Sequence, residues 1–346
     1  MKYTSCYKND LEDTINNTPD FEFLKNKRIL VTGATGLIGS AIIDVLSYKN
    51  IKDKWNIHIY AAGRDKGKIA QRFEQIYGED FFSFVPYDAS REIDFTLDVD
   101  YIIHAASNAH PIAYSEQPVE TMISNLYGIN NLLSYAKKHH VTRILYISSS
   151  EVYGQKDNNL PYKENDYGFI DILNPRACYP LSKKAAETLC ISYKKEYGLD
   201  VVIVRPGHVY GPTMSDTDSR ASAQFIRNVL NGQDIVMKSP GMQLRSYCYV
   251  FDCVSAILTV LIRGSSGEAY NISNKNSIVT IRQLAECLAE LSGRRIIYEN
   301  PQDKELQGYN MMTYSVLDSE KLEKLGWKGL YNLHEGVKRT LRILTE

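Results

Sequence analysis

The sequence predicts an α/β fold, a doubly wound parallel sheet followed by a smaller C-terminal α+β lobe, and three observations carry that reading. Short β-branched apolar runs alternate with helix-length segments from Arg28 to Arg205, the pattern of parallel strands covered by helices on both faces. The first run, Arg28 to Val31, leads directly into Thr32-Gly33-Ala34-Thr35-Gly36-Leu37-Ile38-Gly39, a glycine turn that opens a helix. After Arg205-Pro206-Gly207-His208-Val209-Tyr210-Gly211-Pro212 the composition changes to shorter elements joined by polar loops.

Taken in order, residues 1–26 form a helical or irregular lead-in that carries Asn16-Asn17-Thr18-Pro19. Strand 28–32 then feeds the glycine turn and a helix over 37–48. Gly33 allows the tight turn, Gly36 lets backbone approach a ligand, and Gly39 lets the helix pack against the strand. Free N–H groups and the helix dipole there suit a dinucleotide pyrophosphate, which makes the sheet Rossmann-type. Strand 57–62, helix 66–77, strand 81–85, strand 100–104, helix 118–138, strand 143–148, helix 180–197 and strand 200–205 continue the alternation. Beyond them the patterns predict helices near 221–231, 252–263 and 280–292, with brief strands near 234–237, 268–272 and 295–298 and a terminal strand over Thr313 to Val316. The chain thus divides into 1–26, a dinucleotide-binding domain 27–206, and 207–346, mainly a second lobe.

Composition narrows the function classes. A chain of 346 residues with 44% apolar residues can bury a large core. Its formal net charge of −1 provides no global field for nucleic acid or anionic lipid. No apolar run approaches the roughly 20 residues that span a bilayer. The polar segment Met1 to Asp20 has no signal-peptide core, so the expected location is the cytoplasm. Cys6, Cys178, Cys190, Cys248, Cys253 and Cys287 show no metal-ligand spacing and read as reduced thiols, with no metal site expected.

Two further segments carry chemistry. Ile147-Ser148-Ser149-Ser150-Glu151-Val152-Tyr153-Gly154 closes an apolar strand, and Tyr179-Pro180-Leu181-Ser182-Lys183 places a lysine four positions after a tyrosine on a helix. With the glycine turn, these segments make the chain similar to the extended short-chain dehydrogenase/reductases, the NAD(P)-dependent group that modifies nucleotide sugars, from about Lys27 onward. Ala106-Ser107-Asn108-Ala109-His110-Pro111, Ser149 to Gly154 and Asn174-Pro175-Arg176-Ala177-Cys178-Tyr179 most resemble the UDP-glucuronate decarboxylases.

The resemblance implies an enzyme that first oxidises the sugar C4 hydroxyl. Tyr179 would be the base, Lys183 the ammonium that favours its phenolate, and Ser149 the hydroxyl on the reacting oxygen. A serine run at a strand end also caps local backbone, the alternative for Ser149. Asn125 matches an asparagine that supports the lysine through a water; otherwise it is an ordinary helical polar residue. Glu151 separates the outcomes. A 4-epimerase needs no extra carboxylate, whereas a 4,6-dehydratase needs one, with an aspartic acid beside it in the dTDP-glucose type. Here that neighbour is Ser150, a pair shared with decarboxylases and GDP-mannose dehydratases. In a decarboxylase, Ser150 and Glu151 would position the sugar and manage the later protonation; a solvated loop carboxylate is the bland alternative.

For the substrate, the resemblance implies contacts from Arg245 to the phosphate or sugar, as suits a planar bidentate donor, and from Arg220, for which a surface ion pair is the alternative. Tyr114 and Arg176 are further sugar-contact candidates. His208 stands where the family usually has asparagine, near the sugar pyrophosphate, and Gln307 to Met312 lacks an arginine often found before the terminal strand.

On the cofactor side, the nucleotide contacts expected are Gly33, Thr35, Gly36, Leu37, Ile38, Gly39, Asp88, Ala105 and Ala106. Strand two ends Ala61-Ala62-Gly63-Arg64-Asp65, so Arg64 would take a 2′-phosphate of NADP, or face adenine or water while Asp65 binds ribose; NAD is favoured, with NADP open. The expected partners are a nucleotide-diphosphate sugar and, through helices 118–138 and 180–197, a second copy in a homodimer. The remaining readings are a 4,6-dehydratase, a 4-epimerase, or a non-catalytic dinucleotide sensor.

Overall fold

A computed structural model describes residues 3–107, 109, 111–300 and 312–346. Asn108, His110 and Gln307 to Met311 therefore lie outside the described residues, together with the expectations attached to them.

The strands in chain order are β1 (Arg28–Thr32), β2 (His58–Gly63), β3 (Phe82–Pro86), β4 (Tyr101–His104), β5 (Arg143–Ile147), β6 (Val201–Pro206) and β7 (His208–Tyr210). They continue with β8 (Ile235–Met237), β9 (Leu244–Tyr249), β10 (Ala269–Ile272), β11 (Ile278–Thr280), β12 (Ile296–Tyr298) and β13 (Tyr314–Ser315). Among the described residues the central sheet has seven strands in the order β10-β6-β5-β4-β1-β2-β3, every pair parallel. The order reverses between β1 and β4, where the crossovers leave in opposite directions and a crevice opens at the carboxyl ends of the strands.

Helices cover both faces, and the period-two alternation of the strands shows which residue serves which face. Ile29, Val31, Ile103, Leu145, Ile147, Val202 and Val204 point into one core with α2 (Leu37–Asp53) and α8 (Val250–Arg263). Leu30, Ile102, Ile144, Tyr146, Val201 and Ile203 point into the other, under α5 (Pro118–Lys138) and α6 (Cys178–Tyr197). α5 and α6 pack on each other, and the residues that face the sheet, among them Ile129, Leu132, Ala136, Ala186 and Cys190, are buried.

Several elements differ from the sequence expectation. The helix after the glycine turn runs on to Asp53, and α3 (Lys66–Arg72) ends early because Phe73 and Ile76 turn inward to be buried. The lead-in holds a helix, α1 (Ser5–Asn16), whose Tyr7, Leu11 and Ile15 recur every four residues and are buried. Its acids are claimed by distant tyrosines, Tyr249 donating to Asp10 at 2.5 Å and Tyr331 to Asp13 at 2.5 Å, while its own Tyr7 donates to Asp44 of α2 at 2.5 Å. A C-terminal helix, Leu333–Thr345, went unread in the sequence and packs beside α1. β10 belongs by chain position to the second lobe, yet it completes the central sheet beside β6. The remaining strands form a sheet in which β9 pairs with β7, β11 and β13, and a two-stranded piece of β8 and β12.

Candidate active site

At the end of β1 the backbone itself builds a cradle. Gly33 has φ of 67°, in the left-handed region, and a Cβ there would stand 2.8 Å from the backbone of Ala105 and Ala106. A Cβ on Gly39 would overlap the Gly33 carbonyl oxygen. Register explains the crowding: Thr32 pairs with His104, so the chain leaving β1 and the chain leaving β4 run side by side. Gly36 caps α2 without a side-chain acceptor, which leaves the first N–H groups of a 17-residue helix facing outward. Thr35 and Gly36 are exposed and Leu37 and Ile38 half-buried along the cradle. This arrangement fits a dinucleotide pyrophosphate, which takes backbone donors and tolerates no side chain at those positions.

Around the cradle, Arg64 is exposed at the end of β2, and the Asp65 carboxylate caps α3 by accepting from the Lys68 N–H at 3.0 Å. Asp88 lies after β3 and accepts from the Ser90 N–H at 2.9 Å and its hydroxyl at 2.7 Å. Ala106 donates its N–H to the Thr32 hydroxyl at 3.2 Å, and that hydroxyl meets His104 Nδ1 at 2.7 Å. Burial, with the Lys183 charge adding to it, drops the His104 pKa to about 3, so this imidazole is neutral.

Next to the cradle stand the tyrosine and the lysine. Tyr179 and Lys183 lie one turn apart near the start of α6, and both are buried. Burial pushes the Tyr179 phenol up to about 12 and the Glu151 charge adds to the effect, while the hydrogen bond with Ser149 and the charges of Arg220 and Arg176 oppose it. Burial lowers Lys183 to about 7, with Glu187 and Cys190 acting the other way. The Lys183 ammonium donates to the Ile147 carbonyl at 2.8 Å, 4.7 Å from the Tyr146 ring centre and 5.8 Å from that of Tyr179. The sequence assigned the correction of the phenol to Lys183; in the folded chain Ser149, Arg220 and Arg176 act on it directly. Ser149 also accepts from the Glu151 N–H at 3.1 Å and so caps the short helical turn Ser150–Tyr153. The capping reading of Ser149 therefore holds, and the same hydroxyl is within hydrogen-bond reach of the Tyr179 phenol.

Asn125, in α5, donates to the Ser182 hydroxyl at 3.0 Å and accepts from the Ser107 hydroxyl at 2.8 Å. It ties the β4 loop to α6 through protein groups. Neither serine stood out in the sequence, because a serine has no signature until its partner is placed beside it.

The wall beside Tyr179 is a relay of stacked and paired groups. Glu151 accepts from Arg176 at 3.0 Å and 2.9 Å, Arg176 lies over the Tyr114 ring at 4.4 Å, and Tyr114 stacks on Tyr179 with ring centres 4.6 Å apart. Tyr114 and Arg176 thus join the tyrosine site, and Glu151 is a paired carboxylate rather than a solvated one. Ser150 is buried beside it. Arg220 pairs with Asp218 at 2.5 Å and donates to the Val209 carbonyl at 3.1 Å, yet its charge reaches Tyr179, Tyr114 and His208. Arg220 is therefore ion-paired and at the same time close enough to Tyr179 for its charge to act there.

Arg245 is buried with its guanidinium on two backbone carbonyls, Met312 at 2.6 Å and Leu244 at 3.2 Å. Burial lowers its pKa. Among the described residues no carboxylate pairs with it, which leaves a desolvated cation facing the site. His208 sits between the influences of Arg245 and Arg220, its Nδ1 buried and, among the described residues, without a hydrogen-bond partner. Burial and the two guanidinium charges hold it well below the ordinary histidine range, so it is neutral.

Comparison with known proteins agrees with this geometry. The sequence profile of the NAD dependent epimerase/dehydratase family matches residues 29–273. The chain belongs to that family. It is 33% identical over 319 residues to UDP-glucuronic acid decarboxylase 6 of Arabidopsis thaliana, covering 91% of this chain and 88% of the plant protein. UDP-glucuronic acid decarboxylase 1 of Xenopus tropicalis is 30% identical over 329 residues, covering 93% and 74%. Among solved structures, a UDP-glucose 4-epimerase from Thermotoga maritima superposes with a TM-score of 0.77 at 25% identity, covering 92% of this chain and 98% of the other. An epimerase from Methanothermobacter thermautotrophicus shares the fold with a TM-score of 0.80 at 21% identity, covering 100% and 96%.

As a family member the protein uses NAD, and the glycine cradle is where the dinucleotide fits. All six cysteines are free thiols. Among the described residues no helix is long and apolar enough to cross a membrane.

Proposed function

We propose that this protein is an NAD-dependent nucleotide-sugar enzyme of the UDP-glucuronate decarboxylase type. The observation that carries the reading is the wall beside Tyr179: Arg176, Arg220 and Arg245 face the site against two carboxylates, Glu151 held by Arg176 and Asp218 held by Arg220, and among the described residues no carboxylate pairs with Arg245. A cationic wall suits a substrate with a diphosphate and a carboxylate, and the relatives named above act on UDP-glucuronic acid by their names.

In the proposed sequence Tyr179 removes the proton of the sugar C4 hydroxyl, with Ser149 donating to the same oxygen and Arg176 and Arg220 favouring the phenolate. Bound NAD would accept the C4 hydride, return it later, and place a positive ring charge near Tyr179. Once C4 is a ketone, the C6 carboxylate is a β-keto acid and leaves as carbon dioxide without a further base. Glu151 and Ser150 line the side on which C5 is then protonated, and Tyr179 gives its proton back to the C4 oxygen on reduction. Arg245 and His208 hold the diphosphate, the neutral imidazole contributing a donor without a charge.

Support for a homodimer comes from α5, where the exposed Val119, Ile123 and Tyr127 recur every four residues beside Ile191 of α6. This stripe would close a four-helix bundle with a second copy. The free cysteines suit a reducing compartment such as the cytoplasm. The chain would divide functionally at residue 206, with 207–346 mainly binding the substrate.

The deciding experiment is mass spectrometry of UDP-glucuronate, UDP-glucose, dTDP-glucose and GDP-mannose after incubation with the purified protein and NAD. Loss of carbon dioxide from UDP-glucuronate is expected. Loss of water from a hexose would replace the reading with a 4,6-dehydratase, and an unchanged mass with inverted C4 would replace it with an epimerase.

A further inference from the structure

One turn beyond Lys183 on α6, Glu187 takes no part in the steps above, yet it is buried and tightly held. Arg205, at the end of β6, grips its carboxylate at two points, Nε to Oε1 at 2.9 Å and Nη2 to Oε2 at 2.6 Å. The third guanidinium nitrogen donates to the Tyr153 hydroxyl at 2.9 Å and to the Glu164 carbonyl at 2.6 Å, and Tyr153 in turn donates to Asn271 at 2.5 Å. Tyr153 ends the short turn that begins at Ser150, so one arginine fixes both the glutamate behind the lysine and the turn that carries Glu151. A free glutamate would sample several rotamers; a fork-to-fork pair leaves it one.

The surroundings of Lys183 show what that carboxylate faces. On α6 the neighbours are Tyr179, Glu187 and Cys190; β5 supplies the Tyr146 ring and the Ile147 carbonyl; β4 supplies His104, which is neutral; and α5 reaches Ser182 through Asn125. Among the described residues Glu187 is the one carboxylate whose charge acts on the lysine.

We infer that Glu187, locked in place by Arg205, is a positioning residue that keeps Lys183 an ammonium in a site otherwise hostile to its charge. Position and charge are separate requirements: residue 187 lies at i+4 on the lysine's own face, and Arg205 prevents the carboxylate from swinging out to water. Without Glu187 the ammonium keeps the Ile147 carbonyl and the Tyr146 ring but loses the largest charge that opposes its desolvation, so Tyr179 would face an amine more readily neutral. The inference rests on Lys183 being the partner of Tyr179, not on which sugar is bound.

The test is Glu187→Gln in the full chain, read by a carbon-13 NMR titration of lysines labelled at Cε in the purified protein, with Lys183→Met identifying the resonance. The midpoint of Lys183 is expected to fall by about one pH unit, and the alkaline limb of kcat/KM to move down with it. Glu187→Asp should restore part of the shift. A Lys183 midpoint that stays or rises overturns the inference, as does a uniform loss of kcat with an unmoved pH profile, which a purely structural role would produce. If Glu187→Gln alone fails to fold because Arg205 is left buried and unpaired, Glu187→Gln with Arg205→Met removes both charges together and is read in the same way. Because the lysine titration needs no substrate, an error in the sugar assignment would leave this result interpretable.

Discussion

The two halves of the site are built from different materials. The dinucleotide cradle comes from eight consecutive residues, Thr32 to Gly39, and its working groups are backbone N–H donors that any added Cβ would block. The wall beside Tyr179, the proposed sugar side, draws Tyr114, Glu151, Arg176, His208, Arg220 and Arg245 from separate elements, and its groups are side chains whose charges restrain one another. A backbone site fails when volume is added. A side-chain site fails when charge is moved.

Tyr179→Phe should have the largest effect, since it removes the reacting oxygen and leaves the cradle untouched. Turnover is expected to fall about 10³-fold, with NAD retention unchanged by absorbance of the purified protein. Loss of NAD together with turnover would break the separation between the halves. Gly39→Ala probes the other half: the new Cβ overlaps the Gly33 carbonyl, so the protein should lose NAD and about 1–3 kcal/mol of stability in denaturant titration. Retained NAD at unchanged stability would show that the cradle yields more than its packing allows.

Arg245→Gln keeps shape and removes charge, and should raise KM by about 10–100-fold with a smaller change in kcat. A change confined to kcat would move Arg245 from substrate grip to the reacting centre.

Lys183→Met should abolish turnover as well, and what distinguishes it is a smaller, pH-dependent effect on stability. Burial lowers Lys183 to about 7 in the folded chain, against an ordinary lysine value of about 10.5. The unfolded chain therefore holds the extra proton between those values. The folding penalty is complete below pH 7, shrinks as pH rises, and vanishes near 10.5. The variant should be inactive yet more stable at pH 6, on the order of 1 kcal/mol, with the gain disappearing by pH 10.5. A pH-independent difference would mean that packing, not charge, sets the cost of this lysine.

The same contrast explains what was legible in the sequence. α5 lies where its apolar spacing and Pro118 start predicted, over 118–138, and the strands of the central sheet fall within a residue or so of their apolar runs, because alternating burial writes itself into the residue order. α1 was harder to read: only Tyr7, Leu11 and Ile15 mark its inner face, and its buried Asp10 looks like a surface residue until Tyr249 and Arg339 supply its partners. Glu187 and Arg205 gave no signal at a separation of 18 residues. Arg220 shows the limit from the other side, since its ion pair with Asp218 is local and readable while its position beside Tyr179 is not.

By itself the sequence determined the parallel α/β architecture and the glycine turn, and it placed Tyr179 and Lys183 one helical turn apart, because each depends on residues near one another in the chain and on local backbone geometry. Only the tertiary structure decided that Glu151 is held by Arg176, that Arg245 rests on backbone carbonyls with no carboxylate partner among the described residues, that β10 completes the sheet from beyond the apparent boundary, and that Glu187 is, among the described residues, the one carboxylate whose charge acts on Lys183. The physical reason is that burial and Coulomb forces act through space, so the charge state of a side chain is a property of its neighbours in the fold rather than of its neighbours in the chain.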